Sequence, residues 1–113
     1  MHRLVLQSSL GTEPLEGNPG VYSKVLATSA DWSAMSVHQI SVQPGSEVAL
    51  HSHGKESELH FIVSGRALGR IGDASYRMEP GDALLVDEQT PHGLINDGTE
   101  ELVVLCVFSP PLL

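Results

Sequence analysis

Apolar and polar residues alternate from Ser36 to Gln43, with His38, Ile40 and Val42 on one face and Val37, Gln39 and Ser41 on the other, until Pro44-Gly45 ends the run. A period of two marks a strand that separates two environments. Further short runs at Val21 to Ala27, Leu50 to His53, Leu59 to Ser64, Arg66 to Ile71, Ser75 to Met78, Ala83 to Val86, His92 to Asn96 and Leu102 to Phe108 also read as strands. Gly72-Asp73, Pro80-Gly81 and Asp97-Gly98 are the turn signals among them. Thr28 to Ala34 has room for one short turn of helix, and no longer stretch combines helical periodicity with caps. Many short strands at this spacing predict an all-β sandwich or barrel. Gly11 to Gly20 reads as irregular, so the expected organisation is an N-terminal arm, residues 1–20, followed by a single barrel domain, residues 21–113.

A chain of 113 residues with 41% hydrophobic content suits one domain with one core. Its formal net charge of -8, from six basic and fourteen acidic residues, opposes phosphate backbones and anionic membranes. With only five aromatic residues (Tyr22, Trp32, Phe61, Tyr76 and Phe108) there is also little to stack on bases, so no nucleic-acid and no membrane partner is expected. Met1 to Gln7 lacks the apolar core of a secretion signal, and the lone Cys106 forms no internal disulfide. A cytoplasmic chain is the expectation that follows.

Histidine spacing changes the picture from a bland barrel to one with chemistry. His51 and His53 are separated by one residue, so on a strand both side chains leave the same face and can grip one ion. Gly54-Lys55-Glu56-Ser57 is a turn-prone linker that can return Glu58 to the same spot, with Glu56 as its rival. His92, after Pro91 and before Leu94-Ile95, makes a fourth ligand from a distant segment. Three imidazoles and a carboxylate, without thiolate, suit one divalent metal per chain: Fe, Mn, Ni, Co or Zn. Closed structural zinc is disfavoured, because such sites usually carry cysteines.

Other residues stand close to this set by parity. His60, two beyond Glu58, shares its face and is either a general base or hydrogen-bond donor, or a core histidine satisfied by a carbonyl. Asn96 either hydrogen-bonds near a ligand or substrate, or closes the turn before Asp97-Gly98. Arg66 and Arg70 share a face, where Arg70 either anchors a substrate carboxylate or pairs with an acid at the rim. His38 shares parity with Ile40 and Val42, which favours core packing, leaving Gln39 and Ser41 as candidates to line a cavity.

The run from Gly45 to Gly65 reads G-x5-H-x-H-x4-E-x6-G without a mismatch and resembles the first signature motif of the cupin superfamily. Gly81, His92 and Asn96 keep the spacing of the second motif, G-x5-P-x-G-x2-H-x3-N, but Asp87 replaces its proline and Gln89 its second glycine. The turn before His92 is therefore expected to be shaped differently, with Asp87 able to close it by bonding a backbone amide. The resemblance covers roughly Met35 to Pro110. It implies a double-stranded β-helix (jelly-roll) cupin barrel with a metal inside, and puts the carboxylate ligand at Glu58 rather than Glu56. It further implies oxygenase-type chemistry on a small oxygenated organic molecule bound to the metal. The alternatives are a non-redox isomerase, lyase or decarboxylase with His60 moving a proton, and a non-catalytic module that binds or senses a metal or small ligand. A homodimer is expected, because small barrels leave sheet edges to cover, and the arm with Val21 to Ala27 is a candidate to pair with a partner.

Overall fold

A computed structural model describes residues 2–113, and ten strands make up nearly all of its regular structure. In chain order they are β1 (Glu13–Pro14), β2 (Val21–Ala27), β3 (Ser36–Val42), β4 (Glu47–His51), β5 (Ser57–Ser64), β6 (Ala67–Ile71), β7 (Ala74–Met78), β8 (Ala83–Val86), β9 (His92–Ile95) and β10 (Leu102–Ser109). All pairings are antiparallel, in a six-stranded sheet ordered β1-β2-β3-β10-β5-β8 and a four-stranded sheet ordered β4-β9-β6-β7. This is the all-β double-stranded β-helix that the sequence implied.

Alternation along three neighbouring strands builds the interior in layers. Ile62, Val104 and Ile40 lie side by side across β5, β10 and β3, all buried. One layer on, the same register brings together His60, Cys106 and His38, and beyond them Glu58, Phe108 and Ser36. Leu102 and Val42 close the apolar end. The interior therefore grades from aliphatic to polar along the barrel. Each fully buried Val, Leu or Ile at the aliphatic end is worth about 1.5–3 kcal/mol, so the stability sits away from the polar end.

Gly65, between β5 and β6, is one position where only glycine fits. Its φ is +79°, and a Cβ there would stand 2.5 Å from the Glu101 carbonyl oxygen.

Three local expectations need correction. Thr28 to Ala34 forms no helix, because side chains close a turn instead: Asp31 Oδ2 accepts from the Thr28 amide at 2.9 Å, and Thr28 Oγ1 accepts from the Ala30 amide at 3.2 Å. The strand expected at Leu50 to His53 lies earlier, at Glu47–His51, and leaves His53 beyond its end. Arg66 precedes β6, so it does not share a strand face with Arg70. Within residues 1–20, Gln7–Ser9 forms a single 3-10 turn, β1 pairs with β2, and Leu15 packs against the core.

Candidate metal centre

His51 reaches the interior through an irregularity in β4. Glu47 pairs with Ile95 and Val48 with Leu94, but the register then slips so that His51, not Leu50, comes opposite His92. Ala49 and Leu50 together oppose the single Gly93. In strict alternation with buried Val48, Leu50 would point inward and His51 outward; the bulge reverses this, and Leu50 is 43% exposed. Gly93 makes the bulge possible, since a Cβ there would lie 2.7 Å from the Val48 carbonyl oxygen.

His53 arrives from the loop after β4, and that loop is tied to the β8–β9 turn by the Gln89 amide, which donates to the His53 carbonyl at 2.7 Å. The turn holds Gln89 at φ 62°, a left-handed conformation that costs a glycine little. Its closing bond is main-chain, from the Thr90 amide to the Asp87 carbonyl at 3.3 Å, rather than through the Asp87 carboxylate.

The donor atoms of His51, His53, Glu58 and His92 all lie within 4.8 Å of one another. His51 Nε2 is 3.2 Å from His53 Nε2, His53 Nε2 is 3.3 Å from Glu58 Oε1, and His92 Nε2 is 2.8 Å from the same oxygen. Adjacent ligands held about 2.1 Å from a common ion stand about 3 Å apart, so these separations match a divalent cation's donor set. The imidazoles are also pre-aimed. His51 Nδ1 bonds the Ala49 carbonyl at 2.8 Å and His92 Nδ1 bonds the Thr90 carbonyl at 2.8 Å, which turns each Nε2 toward the centre.

Charge is distributed to suit a cation. Burial opposes ionisation of Glu58, but the hydrogen bonds from His60 and His92 outweigh it and hold the carboxyl far below the usual carboxylate range. Burial also works against protonation of His92, yet its bonds to Glu58 and the Thr90 carbonyl together raise its pKa above 6.5. Burial lowers the pKa of His51, despite its bond to Ala49, and keeps that ring neutral. Both His92 nitrogens face acceptors, Nδ1 the Thr90 carbonyl and Nε2 the Glu58 carboxylate, which favours the imidazolium form.

His60 is 2% exposed and aims Nε2 at Glu58 Oε2, 2.7 Å away, while its Nδ1 is buried with no hydrogen-bond partner among the described residues. It orients the carboxylate so that Oε1 is left facing His53 and His92.

Glu56 lies outside the donor cluster. Asn96 is buried but committed to the fold: its Nδ2 donates to the carbonyls of Val42 and Glu100, both at 2.8 Å, and its Oδ1 accepts from the Gly98 amide. Arg70 points to Glu47 at the rim, 3.8 Å away, and does not line the cavity beside the donor set. Gln39 is on the outward parity of β3, so the cavity assignment made for it belongs to His38. His38 Nδ1 sits 3.1 Å from Ser23 Oγ, and burial lowers its pKa. His38, Glu58 and Cys106 also place donor atoms within 4.8 Å of one another, and burial pushes the Cys106 thiol well up. Parity placed His38 with Ile40 and Val42, but which layer it would join depends on cross-strand register, for which the sequence carries no signal, and Cys106 lies in a uniformly apolar run that gives no parity at all.

A family model described as a cupin domain matches residues 38–108. The chain belongs to the cupin family. Among curated relatives, an uncharacterised protein of Methanocaldococcus jannaschii is 32% identical over 76 residues, 67% of this chain and 61% of that protein. L-ectoine synthase of Vibrio campbellii is 29% identical over 83 residues, covering 73% of this cupin and 64% of the synthase. An oxalate-binding protein of Thermotoga maritima is 29% identical over 70 residues, 62% of this chain and 58% of that one. The alignments thus span about three fifths of the length of these relatives. Among solved structures, a predicted oxalate decarboxylase of Thermotoga maritima superposes with a TM-score of 0.88 at 24% identity, covering 96% of this chain and 99% of that one. KdgF from a Halomonas species gives 0.87 at 20% identity, covering 97% and 94%. At these identities the structural likeness speaks to fold.

Proposed function

We propose that this cupin is a metal-dependent enzyme in which His51, His53, Glu58 and His92 hold one divalent ion and a small oxygenated organic molecule binds beside it. The convergence of three Nε2 atoms and one carboxylate oxygen at 2.8–3.3 Å carries this reading. A bound ion would supply Lewis acidity and, if iron or manganese, electrons for dioxygen. The protein's own part is to aim the Nε2 atoms of His51 and His92 through backbone carbonyls, to keep Glu58 ionised, and to set a largely apolar cavity beside them.

Oxygenase-type turnover is the leading reaction class on the resemblance of this ligand set to that of small one-domain cupins. A non-redox lyase or decarboxylase is the second reading, favoured by relatives named L-ectoine synthase and predicted oxalate decarboxylase. Oxygen consumption by the iron-loaded protein, against turnover under anaerobic conditions, separates the two. Turnover by neither route, with the metal bound, would reduce the chain to a binding or sensing module.

We also propose a homodimer, supported by the outward Phe61, Val63 and Leu85, the last 71% exposed on the edge strand β8. This shifts the contact from the arm side, where β1 already pairs with part of β2. Sedimentation at micromolar concentration reads the mass.

A further inference from the structure

His51, His53 and Glu58 of the donor set line a cavity of about 190 Å3, walled by Val25, Ile40, Val48, Leu94, Phe108 and Leu112. Apart from the donor set and His60, the polar groups that reach it are the Ser23–His38 pair and the Cys106 thiol. At about 30 Å3 per water this is room for about six waters, hence an organic body well below drug size.

Among the cationic side chains, Arg3 pairs with Asp31, Lys24 with Gln7, Arg66 with Glu79, Arg70 with Glu47 and Arg77 with Asp97, while Lys55 is exposed in its turn. None of them lines the cavity. A divalent ion and the Glu58 carboxylate leave one net positive charge inside. One monoanion cancels it; a second carboxylate set against the aliphatic walls would find no counter-ion there, which is disfavoured.

Resting on the metal reading above, we propose that the cavity selects a small monoanionic chelator with an apolar body, such as a short branched 2-oxo acid, and rejects dicarboxylates. A polyhydroxylated chain would likewise find few hydrogen-bond partners on the aliphatic walls. The His38 imidazole, held by Ser23, and the His60 imidazole also line the cavity, within reach of a lone polar atom on the ligand body.

The test uses the cobalt(II)-loaded protein, whose visible absorption is titrated with 4-methyl-2-oxopentanoate and with 2-oxoglutarate. The two probes share a 2-oxo acid head and differ in an apolar branch against a second carboxylate. The first should bind at least about tenfold more tightly, the scale set by burying an unpaired charge. Equal affinity, preference for 2-oxoglutarate, or no response to either probe would overturn the proposal. Val25→Arg, at a partly exposed position of the wall, should narrow the gap by giving the second carboxylate a partner; an unchanged gap would show that wall charge does not set the preference. Failure to take up cobalt at all would remove the metal reading, and this proposal with it, and is distinguishable because no visible band would form.

Discussion

His51 stands opposite His92 across β4 and β9 only because β4 carries one residue more than its partner after Val48. Gly93 is the point of contact for that extra residue. Gly93→Ala would press a methyl group against the Val48 carbonyl, 2.7 Å from the ideal Cβ position. The strand must shift, at a cost of about 1–3 kcal/mol, and His51 should leave the donor set. Thermal unfolding together with zinc affinity reads both effects; unchanged zinc affinity would show that the bulge does not position His51.

His60 acts on the site through Glu58. His60→Leu should leave Oε2 unpaired and weaken metal binding by about 10–100-fold, whereas His60→Gln, which can still donate to the carboxylate, should retain most of the affinity. Equal losses in both variants would point to packing alone.

Metal uptake should release a proton. The pKa of His92 is raised above 6.5 in the metal-free protein, so the ring is charged below that raised value and must lose its Nε2 proton to bind an ion. Affinity for zinc should accordingly rise with pH up to the raised pKa and lose that dependence above it. Calorimetric titration at about pH 6.5 in buffers of different ionisation enthalpy should show about one proton released, and none would contradict the charged His92.

Gln89 holds a left-handed backbone conformation at φ 62°. Gln89→Gly should relieve it, although the added freedom of the unfolded chain offsets part of the gain, leaving a stabilisation of up to about 1 kcal/mol. A lowered melting temperature would mean that the Gln89 side chain contributes more than its backbone strain costs.

Much of this was legible in the residues. Alternation from Ser36 to Gln43 defined the faces of β3, and the spacing of His51, His53, Glu58 and His92 pointed to one ion. The bulge was not legible, because an extra residue in β4 leaves a hydropathy pattern that reads equally well with Leu50 inward. Nor were the partners of Asn96 and Arg70, since parity cannot say whether a polar side chain is already satisfied by Val42, Glu100 or Glu47. For His38 and Gln39 the apolar face proved to be the cavity face, since most of the cavity wall is itself aliphatic.

The central claim is that four side chains hold one divalent ion, and metal content tests it most directly. Protein purified without a histidine tag and dialysed against zinc or iron(II) should carry about one ion per chain. Glu58→Ala and His92→Ala should each lose that ion while keeping a β-rich circular dichroism spectrum, because the aliphatic end of the barrel is untouched. Stoichiometric metal retained in both folded variants would contradict the account.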